Sequence, residues 1–253
     1  MSSPEPRRRL LWCLAALAGM WLQLAPGVEG ATGQAGNVLQ VSTSSTAADL
    51  TLEQGVVARV EFLADDIVRV RLNPYGSLSR VPTGAVISSA IAPTAVQFLD
   101  SPEALLMQSP RAVVAVRKQP FQVIVLRSDQ SVVTEDVPGG IVWNTETGQI
   151  AIKKVAHAGE AYFGLGARGG PINRRGRVIA MHNADSPGYG EFTDPLYISI
   201  PFFYGLWNGQ AYGLFFDNPA DTLFDLDQGN TGVLTLGASA GEIDYYVLTG
   251  PTP

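Results

Sequence analysis

One cysteine and two histidines in 253 residues narrow the chemistry before any pattern is read. Cys13 sits inside an apolar run near the N-terminus, so the chain that follows has neither a disulfide nor a thiolate nucleophile. His157 and His182 are too few for a histidine-rich metal site. Charge is scarce as well: 16% of residues, 17 basic against 23 acidic, net −6. With no basic patch outside the extreme N-terminus, a nucleic-acid footprint is excluded. Also missing is any amphipathic helical pattern of twelve or more residues, and 27 Gly with 17 Pro are too many for a helix bundle. What the chain does have is 46% apolar residues, ample for a core of ordinary size.

Arg7, Arg8 and Arg9 precede an apolar stretch from Leu10 to Leu24, followed by Pro26, Gly27 and the small steps Val28, Gly30 and Ala31. A basic start, a short apolar run and a small-residue exit predict a secretory signal peptide over residues 1–30, cut near Gly30–Ala31. The run is shorter than the roughly 20 apolar residues of a membrane span. Removing that segment, three Arg against two Glu, leaves a mature chain, residues 31–253, at −7 and free of cysteine. The expectation is an exported domain, periplasmic or extracellular, with no membrane contact after cleavage.

The mature chain alternates in period two. Val57 to Phe62 and Ile67 to Leu72 read as strands joined at Asp65-Asp66; Val68, Val70 and Leu72 face one way, Arg69 and Arg71 the other. Val113 to Arg117, Phe121 to Leu126, Gln149 to Lys154, Ala211 to Phe216 and Glu242 to Leu248 repeat the pattern. Pro138-Gly139-Gly140, Asn208-Gly209 and Ala240-Gly241 supply predicted turns. Gly76 to Asp100 is rich in Ser, Ala and Pro and reads as a long connection with one or two marginal strands. Short strands at close spacing predict an all-β, antiparallel sandwich or barrel.

Chemistry concentrates after Glu160. Gly164 and Gly166 lack the strand–turn–helix setting and the Gly-Lys-Ser/Thr of a phosphate loop. Asp217, Asp221, Asp225 and Asp227 suggest calcium, but the Asp225-x-Asp227-x-Gly229 spacing lacks a further oxygen ligand and has Leu236 where a Glu is needed. No metal or other cofactor is implied. Arg174, Arg175 and Arg177 read as a solvated charge run, and Tyr162, Phe163, Phe202, Phe203, Phe215 and Phe216 as core.

The ordered strings Tyr162-Phe163-Gly164-Leu165-Gly166, Asn173-Arg174-Arg175-Gly176, Asn183-Ala184-Asp185 and Asp194-Pro195-Leu196-Tyr197-x-Ser199-Ile200-Pro201-Phe202-Phe203 are followed by Ala211 to Asn218, Gly241 to Tyr246 and Gly250-Pro251-Thr252-Pro253. In that order the chain resembles the N-terminal β-sandwich domain of glycoside hydrolase family 31, which contains α-glucosidases and α-xylosidases. It departs at Ala167, where the family commonly has Glu, and at His182, where it often has an aromatic residue.

The resemblance implies a galactose-mutarotase-like sandwich without the catalytic (β/α)8 barrel, which alone takes about 250 residues. Retaining glycosidases use two carboxylates about 5–5.5 Å apart, and in the resembled family both belong to the barrel. No catalytic residue is therefore expected here, and the chain by itself is expected to be inactive. Asp185 is the residue the resemblance makes functional, an acidic group on a loop that reaches the barrel's mouth and binds sugar hydroxyls. His182 is a second substrate-binding candidate, as a neighbour of that loop or a satisfied imidazole. The implied partners are an α-linked oligosaccharide or glycoside and the barrel. A free-standing carbohydrate-binding module is the alternative.

Overall fold

Residues that alternate apolar and polar in period two bury one face of a strand and leave the other wet, and the first two long strands do this cleanly. In the computed structural model, which describes residues 28, 30–78, 83–87, 91–92 and 94–253, the chain opens with β1 (Gly33–Gln34), β2 (Val38–Thr43) and β3 (Ala47–Leu52). β4 (Val57–Ala64) and β5 (Ile67–Asn73) then form a hairpin turning at Asp65 and Asp66. Ala58, Val60, Phe62, Val68, Val70 and Leu72 are all buried, as the alternation predicts. The signal-peptide segment and Cys13 lie, but for Val28 and Gly30, outside the described residues.

A meander follows: β6 (Gln97–Asp100), β7 (Ala104–Gln108), β8 (Ala112–Lys118), β9 (Phe121–Arg127), β10 (Val132–Trp143) and β11 (Ile150–Val155). The last third holds β12 (Ala161–Gly164), β13 (Val178–Met181), β14 (Phe202–Trp207), β15 (Gln210–Phe216), β16 (Thr222–Leu226), β17 (Val233–Ala238) and β18 (Ile243–Leu248). Two antiparallel sheets result. One runs β13-β16-β17-β11-β10-β9-β8-β7-β6, with β1 added on β10; the other runs β12-β14-β15-β18-β5-β4-β3-β2. Among the described residues the only helical element is a 3-10 turn at Glu53–Gly55, and no helix is long and apolar enough to cross a membrane. The all-β sandwich is as expected, and among its described residues the long connection contributes one strand, β6, at its end.

Register explains the core. Ala48, Val60, Val70, Tyr245 and Phe216 stand opposite one another across β3, β4, β5, β18 and β15, and all are buried. One residue further on, Glu61, Arg69, Tyr246, Phe215 and Phe202 form the matching row on the outer face. Burial of Val60, Val70 and Phe216 in the inner row is worth about 1.5–3 kcal/mol each. The sheets meet through rings: Phe224 of β16 packs edge-on to Phe203 and Phe216, both at 6.2 Å.

One charged pair is sealed between the sheets. Lys154 Nζ lies 2.6 Å from Asp136 Oδ1, both side chains 1% exposed, and 4.2 Å from the ring centre of Tyr245 on the opposite sheet. The other Asp136 oxygen accepts the Val123 N–H at 2.9 Å. The predicted turn at Pro138-Gly139-Gly140 is instead a bulge inside β10, where the pairing with β11 slips between Asp136 and Ile141. A bulge absorbs an extra residue and leaves a ladder position unpaired, which is where the missing N–H of Pro138 does no harm.

Candidate functional site

β13 ends one edge of the larger sheet and β12 one edge of the smaller, and the segment 182–201 crosses between them from β13 to β14. It lies on the segment 165–177. Leu165 N donates to Phe202 O and Ala167 N to Ile198 O, both at 2.9 Å. Gly166 and Gly169 make that contact possible: a methyl at Gly166 would overlap the Ile198 carbonyl, and one at Gly169 the Glu191 carbonyl. Gly166, one of the two glycines that superficially suggest a phosphate loop, thus serves a close approach of two backbones.

Along 182–201 the chain folds back on itself. Ala184 N donates to Leu196 O at 3.0 Å, the Ser186 hydroxyl to Pro195 O at 3.3 Å, and the Tyr197 hydroxyl to Ser186 O at 3.0 Å. Ser199 N donates to Asn183 Oδ1 at 2.7 Å, and Ser199 Oγ to His182 O at 2.8 Å. Asp185 sits between the two fastened residues 184 and 186, exposed. His182 is half-buried at the foot of the loop, as a neighbour of it. The carboxylate of Asp185 and the candidate His182 therefore share one loop base, with the exposed rings of Tyr189, Phe192 and Tyr197 on the same segment. Tyr189 and Tyr197 meet edge-on at 6.0 Å.

The arginines under this loop correct the expectation of a solvated run. Arg174 is 8% exposed and donates to the carbonyls of Gly169, Pro171 and Arg168 at 2.9, 2.7 and 3.2 Å. Arg175 donates to the carbonyls of His157 and Glu160 and pairs with Asp227 at 2.5 Å. Arg177 donates to Gly169 O and lies 5.9 Å over the Phe192 ring. Irregular backbone at strand ends leaves carbonyls unpaired, and a guanidinium with five donors satisfies several at once. Asp227 is engaged on its other oxygen by Gly232 N at 2.7 Å, and Asp225 accepts Gln228 N at 2.7 Å, so these acidic residues shape a turn.

Beside this floor Glu160, 2% exposed, accepts the hydroxyls of Tyr212 and Tyr162 at 2.6 and 3.0 Å and the His157 N–H at 2.9 Å. Burial first, then the Glu160 charge, pushes both phenols far above the ordinary tyrosine range, so they stay protonated donors. The aromatic pairs divide by strand parity. Tyr162, Phe203 and Phe216 are core, as expected, while Phe163, Phe202 and Phe215 are half-buried on the opposite face.

Sequence reading missed Arg168, Asp194 and Ser199. The Arg168 side chain is fully buried, donates through Nη2 to Ala180 O at 2.8 Å and Ser199 Oγ at 2.7 Å, and stands 3.2 Å from Asp194 Oδ1. Asp194 Oδ2 accepts the Ala180 N–H at 2.8 Å. Gly166, Gly169 and Gly170 flanking Arg168 were the available signal, since glycines in a cluster mark close backbone approach.

Known proteins bear on this geometry. The chain is 32% identical over 220 residues to α-glucosidase 2 of Bacillus thermoamyloliquefaciens, covering 86% of this chain and 27% of that protein. It is 25% identical over 205 residues to the isomaltosyltransferase of Sporosarcina globispora, covering 76% of this chain and 18% of the relative. Among solved structures, the GH31 dextranase of Flavobacterium johnsoniae complexed with isomaltotriose superposes with a TM-score of 0.80 at 28% identity, over 86% of this chain and 27% of that one. The chain thus spans about a quarter of the length of α-glucosidase 2 and of the dextranase. The glycosyl hydrolase 31 N-terminal galactose mutarotase-like domain matches residues 57–225, and the chain belongs to that family.

Proposed function

We propose that this chain is the accessory β-sandwich of an exported retaining α-glycosidase, which packs on a catalytic barrel and completes its substrate pocket with Asp185. The observation that carries this reading is the placement of Asp185: an exposed carboxylate on a loop fastened on both sides, with large apolar side chains exposed around it. A carboxylate in that position accepts hydrogen bonds from two sugar hydroxyls, and charge-assisted bonds are the stronger kind. Ile172, Phe192, Ile198 and Ile200 are 78, 64, 54 and 49% exposed on the two segments that form the platform. Exposed apolar groups concentrated on these two segments suit a contact with a second domain.

Export is supported by the charge and apolar pattern of residues 1–30. The substrate class, an α-linked oligosaccharide or glycoside, is supported by the relatives named above. On this reading the acid and nucleophile come from the barrel, and the chain by itself hydrolyses nothing.

Steady-state kinetics of the enzyme carrying this domain test the reading. Asp185→Ala raises KM for isomaltotriose about tenfold, the size of a lost charged hydrogen bond, and unchanged KM and kcat would discard the role. The exposed Tyr189–Tyr197 pair keeps the carbohydrate-binding module as a second reading, because exposed rings suit sugar stacking. Calorimetric titration of the chain alone decides between them: saturable binding of isomaltotriose favours the module, a flat titration the accessory domain.

A further inference from the structure

A loop that presents a carboxylate to a ligand is useful only if its backbone is held in one place, since freezing it on binding costs about 1–2 kcal/mol per residue. The loop 183–199 has little apolar burial to hold it: Leu196 is its one fully buried hydrophobic residue, and Tyr189, Phe192, Tyr197 and Ile198 are exposed. Beside the backbone bonds from Ala184 N to Leu196 O and from Ala167 N to Ile198 O, one buried guanidinium fastens its base. Arg168 reaches the returning limb at two points, touching Ser199 at 2.7 Å and Asp194 at 3.2 Å. Further contacts of Nη2, to Ala180 O at 2.8 Å and Met181 Sδ at 3.7 Å, tie them to the edge strand β13 from which the loop departs. Asp194 closes the same circuit by accepting the Ala180 N–H, and Ser199 passes it on to His182 O and Asn183 Oδ1. Two residues beyond Asn183 stands Asp185.

We propose that Arg168 is the positioning residue for Asp185: through Ser199 and Asp194 it locks the loop 183–199 and so sets where the carboxylate meets a sugar. The inference rests on the reading of Asp185 as a sugar contact, but its structural half can be measured without any sugar. Burial lowers the Arg168 pKa and the charge of Asp194 opposes that, consistent with a cation kept in place by this one carboxylate and by carbonyl and hydroxyl oxygens. Lysine is a poor replacement, because one ammonium cannot present the planar fork that donates to Ala180 O and Ser199 Oγ while its Nε stands beside Asp194.

Hydrogen exchange on the chain is the first measurement. Arg168→Gln speeds exchange of the amides of 183–199 about tenfold while β16 and β17 are unaffected, since local opening is independent of the global core. Ser199→Ala, which removes one limb of the anchor and leaves the buried charge pair intact, gives the same local pattern more weakly. Unchanged loop exchange in both variants overturns the proposal, and so does faster exchange throughout the sandwich in both. The second measurement is a double-variant cycle in the enzyme carrying this domain, with isomaltotriose as substrate. Arg168→Gln and Asp185→Ala each raise KM with kcat within about twofold, Arg168→Lys recovers part of the loss, and the double variant is no worse than Asp185→Ala alone. Additive effects would make Arg168 structural only and overturn the positioning role. If Asp185→Ala is silent while Arg168→Gln still loosens the loop, the sugar contact fails and the anchoring of the loop stands, so the two failures are told apart.

Discussion

Two regions of this molecule bury a cation against a carboxylate, and they do so for different ends. Between the sheets, Lys154 and Asp136 are each 1% exposed, with Tyr245 from the other sheet over the ammonium. At the sheet edge, Arg168 is equally buried but Asp194 is 15% exposed, and the pair supports a loop whose outer side chains face solvent. The first pair is wired into strands that the whole core depends on. The second is wired into the loop and into the edge strand β13 from which the loop departs. Burial of a charge pair therefore decides global stability in one place and local geometry in the other, according to what its hydrogen bonds connect.

The largest effect expected is at the inner pair. Lys154→Ala leaves Asp136 buried and unpaired at a cost of about 3–5 kcal/mol. At about 2–4 °C per kcal/mol for a domain of this size, calorimetry reads a fall in Tm of about 6–20 °C, and a shift below 3 °C would mean that water reaches the site. Lys154→Met with Asp136→Asn sharpens the point: it removes the charge but keeps an acceptor for Val123 N, and is expected to recover at least half the loss, since apolar replacement of a buried pair is often neutral. Failure to recover would assign the stability to the attraction itself.

Smaller losses are expected beneath the loop. Arg174→Ala orphans the carbonyls of Pro171 and Arg168, while Gly169 O keeps its bond from Arg177, and costs about 1–3 kcal/mol in a urea melt. Gly166→Ala combines a φ of +84° with an overlap on the Ile198 carbonyl, so about 1–3 kcal/mol is lost and the exchange of 183–199 rises with it. A native-like loop in that variant would show the approach of the two segments to be dispensable. Smallest is Asp185→Ala, within about 0.5 kcal/mol of the parent in stability because the side chain is exposed. Its expected effect is on KM alone, and a clear loss of stability would move Asp185 from the sugar to the fold.

The strand pattern was legible wherever one face is wet. β4 and β5 were read with their tip and their buried residues, because Arg59, Glu61, Arg69 and Arg71 mark the outer face unmistakably. The bulge in β10 was not, since Pro138-Gly139-Gly140 carries the same local signal whether a strand turns or merely kinks. Arg174, Arg175 and Arg177 looked like a solvated run because their acceptors are backbone carbonyls, which leave no trace in the sequence. Asp185 was legible only through the resemblance; no local feature distinguishes it from the turn residues beside it.

By itself the sequence determined the class of fold, the residues of the inner face, the family, and the scarcity of thiol and imidazole chemistry. These are matters of composition and period, which each strand carries locally. Which loop lies on which, that Gly166 and Gly169 exist for two backbones to touch, and that Arg168 holds residues 26 and 31 positions away, Asp194 and Ser199, were decided by the tertiary structure alone. Such contacts are set by how the two sheet edges come together in space, and no period along the chain records them.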